Sequence, residues 1–99
     1  MKFFRQYGQQ YSLDWLLLAA QAFQESGLDH SRRSHVGAIG IMQLMPATAR
    51  DPRVGIPDIE KLDRNIEAGT KYLRFVIDRY YAQQPMTDLD KALFALASY

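Results

Sequence analysis

Residues 13–27, LDWLLLAAQAFQESG, read as one helix with a carboxylate at its last turn, and the rest of the chain is expected to pack around it. Leu13, Leu16, Leu17, Ala20 and Phe23 recur at helical spacing and predict a broad buried face. Ser12 suits the N-cap, and Asp14 in the first turn suits the positive end of the dipole. Gly27 suits the stop, because glycine enters the left-handed conformation without steric cost. Glu25 then sits at the negative end of a largely apolar helix, where burial and the dipole both disfavour its charged form. A carboxylic acid kept protonated near neutral pH is what a general acid needs. The competing reading is an ordinary exposed glutamate at a helix end.

The composition narrows the function classes. Ninety-nine residues, 47% hydrophobic and 23% charged, fit one small globular domain with a modest core. A net charge of +1 carries no nucleic-acid footprint and no sign of an acidic partner. The absence of cysteine removes disulfides and thiolate metal sites. His30 and His35 are five apart in a loop without an HExxH-like pattern, so we expect no metal site and two solvated histidines. Lys2 and Arg5 before an apolar run ending in Ala19-Ala20-Gln21-Ala22 imitate a signal peptide. Asp14 interrupts that run and the amphipathic pattern continues beyond it, so we read a helix of the domain. We expect no signal peptide or anchor within this chain, and no run is long enough to span a membrane as a helix.

Along the chain, residues 1–11 predict a short helix with a packing stripe of Phe3, Phe4, Tyr7 and Tyr11. After Gly27 comes a polar loop, LDHSRRSHVGAIG, with no assignable helix or strand. Gly37 and Gly40 allow tight turns or close backbone approach, and Pro46 fits the first turn of a short helix. Between them, Gln43 is the one hydrogen-bonding side chain among Ile41, Met42, Leu44 and Met45. A glycine turn and a buried strand or helix with one surface Gln is the plain reading of that run. Residues 51–58 form a Pro- and Gly-broken connection. Asp63 is expected to cap a helix over 64–83, whose stripe is Ile66, Gly69, Leu73, Val76, Ile77 and Tyr80. Gly69 costs helix stability, which predicts close approach of another backbone there. Gln84-Pro85 ends that helix, and Thr87 or Asp88 caps a last one with Leu89, Ala92, Leu93, Leu96 and Ala97 inward and Phe94 off the stripe. The sequence stops at Tyr99 within this apolar pattern. The expectation is a single domain over 1–99, incomplete at its C-terminal end, with apolar surface left for self-association.

Four motifs in this order carry a resemblance over nearly the whole chain. They are Gln24-Glu25-Ser26; the run GAIGIMQLMPATA from Gly37 to Ala49; NIEAGTKYL from Asn65 to Leu73; and ALFALASY from Ala92 to Tyr99. Together they resemble the catalytic domain of the soluble lytic transglycosylases, lysozyme-like enzymes of bacterial cell-wall peptidoglycan. The run QYGQQYS from Gln6 to Ser12 is similar to the membrane-bound lytic murein transglycosylase F branch. The resemblance implies a mainly α, lysozyme-like fold with a groove for a β-1,4-linked glycan strand, working in the cell envelope or periplasm without a cofactor. It implies that Glu25 is the sole catalytic acid/base, that Met42 and Gln43 line the sugar groove, that Ser26 lies beside the reacting sugar, and that Tyr99 hydrogen-bonds Glu25.

The residue inventory agrees with single-carboxylate chemistry. Ordinary glycosidases use two carboxylates flanking the scissile bond. Asp29 lies beyond the Gly27 break, and Asp51 and Asp58 lie in the Pro/Gly-rich connection, so none is a persuasive second member. The family reaction cleaves between N-acetylmuramic acid and N-acetylglucosamine and closes a 1,6-anhydro ring. Two other outcomes stay open: a lysozyme-type hydrolase on the same scaffold, and an inactive glycan-binding or interaction fragment. The family continues past this Tyr with Asn-Ala-Gly and a further helical stretch, which this sequence does not contain.

Overall fold

In the computed structural model, which describes residues 1–81 and 87–99 without the side chains of residues 80, 81, 88, 89, 92, 94 and 98, the helices run in the order α1 (Lys2–Gln10), α2 (Trp15–Ser26), α3 (Pro46–Arg50), α4 (Leu62–Val76) and α5 (Asp88–Ser98). A π-helical turn, Ile77–Tyr81, continues α4. Extended pairing among the described residues is limited to two isolated bridges, Arg33 with Ile39 and Ile39 with Leu44. The fold is mainly α, as expected.

The central helix is α4 rather than α2. Residues 65–70 are all buried, which requires neighbours on every side of the helix. α1 packs on both α2 and α4, and α5 touches α4 and the π turn. Phe4 and Tyr7 of α1 join Leu18 and Ala22 of α2 and Ile66 and Leu73 of α4 in one core, with Phe3 and Tyr11 packed partly against it. The expected α4 stripe is buried at Ile66, Gly69, Leu73, Val76 and Ile77; the side chain of Tyr80 and the expected extension to residue 83 lie outside the described residues. Lys61, not Asp63, occupies the N-cap, and Asp63 lies in the first turn, where its charge suits the dipole.

α2 departs from its expected start and face. Its N-cap is Asp14, whose carboxylate accepts from the Leu16 N–H at 2.9 Å, while Ser12 sits outside the helix with φ 58°. The Leu13 N–H bonds back to the Gly8 carbonyl at 2.8 Å, which ties residues 12 and 13 to the end of α1 and delays the new helix. Gly27 closes it in the left-handed conformation, as expected. The buried face is Leu18, Gln21, Ala22 and Ser26, whereas Leu16 and Phe23 are 59% and 65% exposed and Ala20 is exposed. Residues 15–20 are apolar all round, so periodicity alone did not choose between faces; docking of α1 did. The face turned inward is the one Glu25 shares, since Glu25 follows Leu18, Gln21 and Ala22 by seven, four and three.

Thr87 caps α5 by accepting from the Asp90 N–H at 3.1 Å. Ala95 is fully buried and Leu96 half-buried, but Leu93 and Ala97, expected inward, are exposed. The expectations for Leu89, Ala92 and Phe94 lie outside the described side chains. None of the described helices is long and apolar enough to cross a membrane.

Candidate active site

The run after Gly37 forms neither the strand nor the helix allowed for it. Ile39 and Leu44 exchange backbone hydrogen bonds of 2.8 and 3.0 Å and close a tight loop between them. Within it Gly40 and Gln43 take positive φ values of 81° and 50°. Gln43 closes its own turn: its backbone N–H and its side-chain amide both donate to the Gly40 carbonyl, and the amide also reaches the Arg32 carbonyl at 3.1 Å. Gly40 has no room for a side chain, since a Cβ there would lie 2.5 Å from Asn65 Nδ2 and 2.7 Å from the His30 ring.

Side chains from four separate segments then hold all four peptide groups of Ile41 and Met42. The Ile41 N–H donates to His30 Nδ1 at 3.1 Å, and the Ile41 carbonyl accepts from Ser26 Oγ at 2.7 Å. The Met42 N–H donates to Asn65 Oδ1 at 2.9 Å, and the Met42 carbonyl accepts from the Tyr99 hydroxyl at 3.0 Å. Both residues are buried, where an unpartnered peptide group would cost about 1–3 kcal/mol. Asn65 also donates to the Ile39 and Ile59 carbonyls, both at 2.9 Å, so this fully buried amide joins three segments. Gly69, one turn further on, admits the clamp: a Cβ there would lie 2.8 Å from the Tyr99 hydroxyl and 2.9 Å from two carbons of Met42. The close approach expected at Gly69 is therefore real, and side chains rather than backbone make it.

Glu25 lies at the edge of this arrangement, half-buried on the last turn of α2. Burial pushes its carboxyl above the usual range. Gln21, one turn back and itself buried, donates from Nε2 to Glu25 Oε1 at 3.0 Å. Tyr99 feels the Glu25 charge, and burial first and then that charge push its hydroxyl well above its ordinary value. Tyr72 meets the Tyr99 ring edge-on at 5.6 Å between centroids.

The expected site residues divide into two kinds. Glu25 and Gln43 keep partial exposure, and Tyr99 does so while its hydroxyl points inward. Met42 is fully buried against Gly69, so its side chain is core rather than groove wall. Ser26 is also buried; its hydroxyl donates to the Ala22 and Ile41 carbonyls and accepts from the Asp29 N–H, which places it in the support of the loop. The hydrogen bond expected from Tyr99 to Glu25 goes instead to the Met42 carbonyl. Among the described residues the one buried carboxylate is Glu67, and it is occupied: Tyr11 and Arg64 both donate to it at 2.8 Å. Asp51 is held at about 2 by Arg53 and the Arg53 backbone N–H, and Asp29 is tied to Ser31. Two open cavities of about 260 and 360 Å³ share Arg53 and Phe75 on their walls, and Glu25 lines neither.

Three residues of this site were missed in the sequence. Gln21 was legible as a hydrogen-bonding partner four residues before Glu25 on one helix face. Asn65 had no such signal, since the buried run it heads, residues 65–70, also carries Glu67 and Thr70. His30, read as solvated, is engaged on both ring nitrogens, and nothing in a polar loop announces that; His35 is exposed as expected. Among the described residues no three His, Cys, Asp or Glu side chains converge as metal ligands.

Residues 2–99 match the family model described as the transglycosylase SLT domain. The chain is 40% identical, over 90% of its length, to a protein of Desulfosudis oleivorans named membrane-bound lytic murein transglycosylase F, and covers 19% of it. Proteins of the same name from Aeromonas salmonicida and Marinobacter nauticus are 39% and 38% identical over 88% and 97% of this chain, which covers 17% and 18% of them. The chain thus spans about a fifth of the length of these relatives.

Proposed function

The chain belongs to the transglycosylase SLT domain family, and from that premise and the setting of Glu25 we propose that it cleaves the β-1,4 bond between N-acetylmuramic acid and N-acetylglucosamine in peptidoglycan and leaves 1,6-anhydromuramic ends. The observation that carries this reading is the half-buried Glu25 carboxyl, raised by burial and held on one oxygen by Gln21. Because Gln21 donates to Oε1, the proton of the neutral acid belongs on Oε2, where it is free to face the substrate. Glu25 gives that proton to the glycosidic oxygen as the bond to muramic C1 breaks, and the substrate's own N-acetyl oxygen assists at C1. The resulting carboxylate takes the proton of the muramic 6-hydroxyl, whose oxygen closes on C1. Glu25 ends protonated, ready for the next strand.

Gln43 of the loop and Tyr99 just after α5 are the proposed sugar contacts, with Ser26 acting through the loop backbone it holds and Met42 through its own held peptide groups. The partner is the glycan strand, and the proposed place of action is the cell envelope. Mass spectrometry of peptidoglycan digested by the intact protein tests this. Anhydro ends are expected. Reducing ends would establish the hydrolase instead, and no product from a folded protein would establish a binding or interaction role.

A further inference from the structure

We propose that His30 is a positioning residue: its neutral form, with the proton on Nε2, holds the Ile41–Met42 loop against the end of α2, and protonation of the ring releases it. The inference rests for its catalytic consequence on the role proposed for Glu25. The tautomer follows from the partners. A backbone N–H can only donate, so Nδ1, which receives the Ile41 N–H at 3.1 Å, is unprotonated. A carbonyl can only accept, so Nε2, 2.7 Å from the Glu60 carbonyl, carries the hydrogen. Only the neutral ring with its proton on Nε2 satisfies both. The imidazolium has N–H on both sides and sets one of them against the Ile41 N–H.

The ring has little freedom to escape that conflict, because its Nδ1 and Cε1 lie against Gly40, where a Cβ would come within 2.7 Å. Most of the charged groups around it are paired or tied. Asp29 precedes it and is tied to the Ser31 N–H and hydroxyl. Arg33 donates to the His30 carbonyl at 3.2 Å and pairs with the Glu60 carboxylate at 2.9 Å, so those two charges largely cancel. Arg32 follows in the same loop, and Lys61 after Glu60 pairs with Asp58. The Gly40–Ile41 turn brings no charge, and α4 presents the neutral Asn65 amide. Histidine changes charge between about pH 5 and 8. Loss of the Ile41 bond reaches Glu25 by a short path, since the same residue's carbonyl holds Ser26 and the next residue's carbonyl holds Tyr99.

The test compares the intact protein with H30N and H30A. In Asn the amide oxygen stands where Nδ1 stood, accepts from Ile41, and does not titrate. Hydrogen exchange over residues 39–44, corrected for intrinsic pH dependence, and peptidoglycan turnover are followed from about pH 8 to 5. Nitrogen NMR of the labelled ring reads the tautomer. In the parent we expect protonation on Nε2 at pH 7.5. On acidification its loop protection should be lost and kcat should fall by about 10- to 100-fold with KM little changed. H30N should keep the protection and lack the extra fall, and H30A should lose protection at every pH. A proton on Nδ1 at pH 7.5 would overturn the proposal, as would superimposable parent and H30N profiles, or lost protection with kcat unchanged. If Glu25 proves dispensable for turnover, the proposed function fails, while tautomer and exchange still judge His30 on their own.

Discussion

At Glu25 burial and one neighbour act in opposite directions on one proton. Burial favours the neutral acid, and the Gln21 amide, as a donor, favours the carboxylate. One group that must give and then recover a proton works best when neither form is strongly preferred near the working pH. The burial has a consequence for stability. A carboxyl raised in the folded state contributes stability that is full below its unfolded value and is lost as pH rises through its folded value. The parent should therefore lose stability relative to E25Q as pH rises above the ordinary glutamate range, and a series of thermal melts of the two across that rise reads it; a constant difference would remove burial as the cause. Gln21→Leu keeps the volume and removes the donor. It should leave the melt close to the parent's and lower kcat by about tenfold, the value of one charge-assisted hydrogen bond; unchanged kcat would detach Gln21 from the mechanism. The half-burial of Glu25 was legible as one of two readings of a carboxylate at a helix end before a glycine, and the motif order, not the helix, singled it out. The partners of Ser26 and Tyr99 were not, because a hydroxyl's choice between substrate and a backbone carbonyl is made by three-dimensional placement.

Among the elements, the comparison of α2 with α4 shows what periodicity can decide. The stripe of α4 alternates with polar residues and was read correctly from Ile66 to Ile77. The run Trp15–Ala20 has no polar residue to break the tie: Leu17 of the expected face packs partly against the core, Leu16 and Ala20 are exposed, and Leu18, outside that face, is buried. Leu18→Ala should accordingly cost about 2–5 kcal/mol, while Leu16→Ala should stay within about 0.5 kcal/mol. Denaturant unfolding of the two variants decides it, and equal losses would restore the face read from the sequence. Gly69 gives a second contrast. Leucine there gains at most about 1 kcal/mol of helix propensity. Its first carbon already meets Tyr99 and Met42 at 2.8–2.9 Å, and overpacking commonly costs about 1–3 kcal/mol. Gly69→Leu should melt below the parent and lower activity as well, since Tyr99 and Met42 would both move. A variant as stable as the parent would mean that the clamp yields easily.

Across the whole molecule, the motifs that mark the family are largely spent on holding one loop. Gly40, Asn65, Gly69, Ser26 and Tyr99 spend their conformational or hydrogen-bonding capacity on two peptide units, Ile41 and Met42. Their order in sequence made the family and the mainly α fold legible before any coordinates. Their mutual bonding joins residues as far as 57 apart in the chain, and no local pattern carries that. What the molecule brings to the proposed chemistry is then a loop held at four peptide groups, a helix end and the Glu25 carboxyl. The claim that this carboxyl alone carries both proton transfers is tested most directly by Glu25→Gln in the intact protein, assayed on purified peptidoglycan with mass spectrometry of the released fragments. The isosteric amide should leave the thermal unfolding transition in place and reduce anhydro-muropeptide release by at least about 10²–10⁴-fold. A folded E25Q protein that still releases them at a rate near the parent's would contradict it.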